Sequence, residues 1–156
     1  MGRRTGAVLV SLLLLLTLAV SASAAAVKMT VGVRFWRESG DKESMADSAV
    51  DTTREATLTR QPNGTFTLEL PVKQLSSMNM TGRLTGIAIG EVNYNGTLNG
   101  DLSDGTAVLT LKNLPASVLT GSDSSKALAV TCSIKMDTIL LGDITTSAKM
   151  SVWVER

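Results

Sequence analysis

The 156-residue sequence contains no histidine. That one absence removes the usual general base near neutral pH, the serine or cysteine triad, and the commonest zinc ligand. Cysteine occurs once, as Cys132, so no intrachain disulfide can form even though export would permit one. Aromatic residues make up only 3 % of the chain, and its 15 basic residues nearly cancel its 14 acidic ones. A nucleic-acid partner would require a basic face and stacking rings, so that class is excluded. Beyond the first 26 residues no pattern of helical period runs for more than a few turns.

What is present begins with Arg3 and Arg4, an apolar run from Ala7 to Val20, and the small residues Ser21 to Ala26. This is the layout of a secretory signal peptide, residues 1–24, with cleavage after Ala24. An uncleaved anchor is the rival reading, since 7–26 could just span a bilayer. The run gives way to alanine and serine at its end, which favours cleavage and leaves the membrane only a transient partner during export. Cys132 lies far from the cleavage site, so no lipidated cysteine forms there. Loss of Arg3 and Arg4 leaves a net charge of −1.

From Ala26 to Trp36 the sequence alternates, with Val27, Met29, Val31, Val33 and Phe35 on one face. Phe66, Leu68, Leu70 and Val72 alternate in the same way, and Asn63-Gly64 supplies a turn, which predicts a hairpin over 56–72. Pro71 lacks a ladder N–H and predicts an edge at that point. Arg83 to Val92 reads as a strand broken by Gly86 and Gly90. Asn93 to Gly96, Asn99 to Asp101 and Ser103 to Gly105 read as turns bracketing short strands. Two longer strands, 127–141 and 146–155, meet at Gly142-Asp143, and Cys132 falls on the inward face of the first as an inert thiol. Strands at such regular spacing predict an all-β antiparallel sandwich over residues 27–156.

Substitutes for histidine chemistry are scarce. Ser39-Gly40-Asp41-Lys42 fits a serine-x-x-lysine pattern formally, but the helix and the partner motifs that such enzymes need are absent. Asp101, Asp104, Asp123 and Asp143 sit in glycine-containing turns without EF-hand spacing, and aspartate in a turn ordinarily bonds its own backbone. Asn63, Asn79 and Asn95 head formal glycosylation sequences. The chain reads as non-enzymatic.

The remaining candidate is the stretch Phe35 to Val50, in which an alternating strand passes through a charged loop to Ser44-Met45-Ala46. Ser44 can cap a single helical turn through the N–H of Ala46 or Asp47, which leaves a thioether beside a hydroxyl. The order strand, Trp36, polar loop, Ser44-Met45, the strand 56–59, the hairpin Gln61-Pro62-Asn63-Gly64, Thr65 to Val72 and Met80 to Leu84 resembles the NEAT (near iron transporter) domain. The resemblance covers most of the secreted portion.

It implies an immunoglobulin-like sandwich of about eight strands at the surface of a Gram-positive bacterium, or secreted from it, binding or transferring haem for iron acquisition. Its partners would be haem, haemoproteins and other surface haem carriers. An alternative is a non-catalytic recognition module that binds haemoglobin or another surface protein without haem.

In the family, the serine of the short helix bonds a propionate and the next residue covers the distal face; Ser44 and Met45 match. The tyrosine-x-x-x-tyrosine motif of the last strand aligns with Thr146 and Met150, so both tyrosines are replaced, and Tyr94 lies elsewhere. The resemblance then implies methionine ligation by Met45 with Met150, or with Met136 on the adjoining strand. Lys42 is placed for the second propionate and Trp36 for the porphyrin edge. Met29, Met78 and Met80 have no such placement.

Overall fold

Apolar residues at every second position must share one face, and in this chain that period recurs in nearly every segment. The computed structural model describes residues 25–77, 79–138, 140 and 142–156. The export signal read from 1–24, and the readings on Met78 and Leu141, lie outside the described residues. Ten strands form: β1 (Val27–Arg37), β2 (Ala56–Arg60), β3 (Phe66–Pro71), β4 (Leu75–Ser77), β5 (Met80–Ile89), β6 (Val92–Asn95), β7 (Thr97–Asn99), β8 (Val108–Leu114), β9 (Leu128–Met136) and β10 (Asp143–Val154). Helical structure among the described residues is confined to three 3-10 turns, Met45–Ala49, Ala116–Val118 and Ser124–Lys126.

All pairing is antiparallel, in the order β4-β5-β9-β10-β1-β2-β3-β8-β7, with β6 on β5. The sheet folds over into an immunoglobulin-like sandwich. β1 makes the fold possible by serving both layers: Val27–Val31 pairs β2 and Val31–Arg37 pairs β10. At the far side Gly96 donates to Thr85 C=O at 2.8 Å and packs against Leu109, which brings β6 up to β8. The enclosed core includes Phe35, Leu58, Leu68, Leu84, Leu111 and Ile134, none more than 1 % exposed. No helix among the described residues is long and apolar enough to cross a membrane.

Several local expectations are revised. Asn93 to Asn95 is not a turn but most of β6; the chain reverses at Gly90-Glu91, where Gly90 takes φ +60°. The two signals at 99–101 and 103–105 bracket no strand. They form one loop between β7 and β8, tied by Asp101 and Asp104 to residues two further on. The 56–72 hairpin is present, but only Gly64 has positive φ, because Pro62 fixes a negative φ where a mirror-image turn would need a positive one. β3 is an interior strand; Pro71 is tolerated because β2 pairs no further than Glu69. β9 ends at Met136, short of the predicted 141, and β10 starts at Asp143 rather than Thr146.

Candidate functional site

The geometry around Ser44-Met45 is set by Phe35. Its ring is fully buried, and its main chain holds the turn from both sides. Phe35 C=O accepts from Ser44 N–H at 2.9 Å, and Phe35 N–H donates to Asp47 Oδ1 at 2.8 Å. Ser44 Oγ accepts from Ala46 N–H at 3.3 Å, the cap expected from the sequence. Ala46 and Ala49 plug the turn into the core, while Met45 stays half-buried against it. Burial raises the Asp47 carboxyl above its ordinary range, opposed first by the Phe35 bond and then by Arg34.

The final hairpin reaches the same end of the sandwich. The last β1–β10 pair is Arg37 with Ala148, so β10 residues 143–147 overhang the end of β1 where the turn sits. Ile144 and Thr146 are half-buried on this overhang, and Leu140 at the tip is 96 % exposed. Leu140 was missed by the sequence reasoning. Its signal was available, because Ile139-Leu140-Leu141 is an apolar run just where a hairpin turn is normally polar.

The six sequence-predicted residues do not converge. Met150 is 0 % exposed, because its position in β10 pairs with Phe35 and Leu128 in the body of the sheet. Met136, 6 % exposed, lies nearer the hairpin, with its sulfur over Gly82. Trp36 faces the opposite side of β1 from Phe35; its indole N–H donates to Ser151 Oγ at 2.8 Å, and Arg34 covers its ring at 5.4 Å. Lys42 is exposed in the loop, its C=O accepting from Arg37 N–H at 2.7 Å. The turn and the overhanging hairpin therefore bring Ser44 and Met45 to one end with Thr146 and Met136, while Met150 stays in the core and Trp36 stays outside.

As a donor set for haem iron, this end of the molecule offers thioethers. Tyr94 is on β6, and no group of three His, Cys, Asp or Glu capable of holding a metal ion occurs among the described residues. Cys132 is fully buried, and desolvation pushes its thiol up to about 12, so it supplies no thiolate. Among the described residues the thioether of Met45 is the soft donor at this end, and neither a tyrosinate nor a thiolate stands beside it.

No protein-family model matches the sequence, and no curated protein matches it. Solved structures do. One is the NEAT5 domain of IsdX2, a B. anthracis haemophore, in complex with haem; another is a single-residue variant of that domain with haem. Each is 9 % identical, covers 85 % of this chain and 99 % of its own, and aligns with a TM-score of 0.52. At that identity the likeness speaks for architecture, here an antiparallel sandwich with a short turn after β1. The chain has the fold of a NEAT domain.

Proposed function

We propose that the protein is an exported, non-enzymatic haem-binding module that takes up or passes on haem for iron acquisition. The observation that carries the reading is the Met45 turn. Met45, half-buried, stands at the end of β1 in a turn fixed by Phe35 and Asp47 and overhung by the β9–β10 hairpin, on a fold shared with a NEAT5 domain solved in complex with haem.

In this reading Met45 would be the residue that holds the haem iron. Ser44, 8 % exposed, uses its oxygen to accept from Ala46, and its O–H would be the donor to a propionate brought against the turn. Lys42 is the cation available to the other propionate. Met136, at the base of the hairpin, is the second thioether to consider ahead of Met150, whose use would require β10 to lift away from Phe35. Haem supplies the iron chemistry when bound. The chain's part is to present a soft, neutral ligand, which favours ferrous over ferric iron relative to an anionic oxygen ligand.

Titration of the purified protein with haem tests this. A Soret change saturating at one haem per chain supports it. No change at stoichiometric haem leaves the recognition-module reading, in which the same end of the sandwich docks on haemoglobin or another surface protein.

A further inference from the structure

A strand turns the N–H and C=O of every second residue to the same edge. On β1, Phe35 bonds Ser44 and Asp47 on the edge away from β10, so Val33 and Val31 face that edge too. Val31 is met there by Ala56, the first residue of β2. Val33 is met by nothing among the described residues. Across the other edge it stands opposite Val152, whose N–H donates to Thr120 Oγ1 at 3.2 Å and whose C=O accepts from Thr120 and Gly121 at 3.0 Å each. No bond therefore crosses the Val33–Val152 pair. Val152 has its own partners, whereas the N–H and C=O of Val33, a residue 7 % exposed, have none among the described residues.

Buried main-chain groups are almost always paired, so an orphaned donor and acceptor side by side call for an occupant. They open on a crevice of about 240 Å³, too small for a porphyrin but large enough for about one residue of an extended chain. One wall is Trp153, whose indole lies flat on Gly32; a β-carbon at that position would overlap the ring. Two cations line the crevice as well, but Arg34 is paired with Glu43 and Arg54 with Asp51, whereas Glu55 and Glu155 on the same lining take part in no ion pair among the described residues.

We propose that this crevice binds an extended basic peptide segment. One of its residues completes the β1 ladder at Val33, and the lysine or arginine side chain of that segment lies along Trp153 toward Glu55 and Glu155. The paired donor and acceptor have the spacing of a strand edge, which matches a peptide unit. An indole face flanked by two free carboxylates selects a cation and rejects an anion. The site is separate from the Met45 turn and stands whether or not haem binds.

Amide hydrogen exchange of the 15N-labelled protein, followed by NMR, tests the proposal directly. In the free protein Val33 should exchange faster than Val31 and Phe35. Acetyl-Val-Lys-Val-methylamide should slow Val33 exchange and shift the Trp153 indole resonance, while the same peptide with glutamate for lysine should not. Trp153→Ala, and separately Glu155→Gln, should weaken binding by about fivefold to tenfold without lowering Tm in the glutamine variant. Slow exchange of Val33 in the free protein would mean that its N–H is already bonded. A fast Val33 unaffected by the basic peptide would mean that the crevice holds water only, and equal binding of the acidic peptide would remove the cation selectivity. Each of these three results overturns the proposal.

Discussion

Asp47 is the least conspicuous residue of the Met45 turn and the one whose removal tells most. Its Oδ1 takes the place of a neighbouring strand by accepting the Phe35 N–H at 2.8 Å. Asp47→Ala strands that part-buried N–H, which costs about 2 kcal/mol, or roughly 8 °C in Tm for a domain of this size. Asp47→Asn keeps an acceptor and sheds the cost of burying a charge. It should stay within about 0.5 kcal/mol of wild type at neutral pH.

The pH dependence separates the two variants further. Burial raises the folded-state pKa of Asp47, so the native protein holds this proton more tightly than the unfolded chain. Its ionisation therefore costs stability as pH rises from the ordinary value of 3.8 to the raised one, and the cost is relieved on acidification. Urea denaturation of all three proteins between pH 3 and 7 is the assay, and the asparagine variant should lack this component. An alanine variant within about 1 °C of wild type would refute the reasoning, because the Phe35 bond would then hold nothing.

Asp51 should act with the opposite sign. Bonds from Thr53 and then Arg54 lower its carboxyl from 3.8 to about 2, so stability present above pH 3.8 is lost as pH falls toward 2. Asp51→Ala should remove about 1–2 kcal/mol measured by denaturation at pH 7 and flatten that acid limb. It also frees Arg54, which ties Val72 and Ala107 together through their C=O groups. Phe35→Ala should cost about 3–5 kcal/mol by the same assay, since the ring is wholly enclosed. Cys132 should resist alkylation at pH 8 in the native protein and react once unfolded; a fast native reaction would contradict its burial.

Strands whose two faces differ are legible in the sequence itself. The alternation from Phe66 to Leu70 reappears as buried and more exposed positions, whereas in β1 it survives only over Val33 to Trp36, because Val27 is 53 % exposed and Val31, Gly32 and Val33 are all buried. Short two-sided strands are not legible in this way: β6 and β7 are largely exposed, so Asn93 to Asn95 reads as turn chemistry when the sheet edge of β5 is what recruits it. The aspartate turns are readable because their bonds are local; Asp101, Asp104 and Asp123 each bond the residue two ahead.

The site is half legible for the same reason. The Ser44 cap is a contact within two residues, whereas the depth of Met150 depends on Phe35, which faces it from another strand. Trp36 shares the loop's neighbourhood in sequence yet is carried to the other face by the pleat. Asp47 is present in the pattern Ser44-x-x-Asp47, the form of a capping box, but its partner is twelve residues back rather than at the cap itself.

The central claim is that Met45 presents the ligand for haem iron. The most direct measurement is the haem absorption spectrum of Met45→Ala beside those of Met136→Ala, Met150→Ala and the wild-type protein, each at one haem per chain. The expected result is a low-spin wild-type spectrum that is lost in Met45→Ala and in Met136→Ala and retained in Met150→Ala. A Met45→Ala spectrum identical to wild type would contradict it.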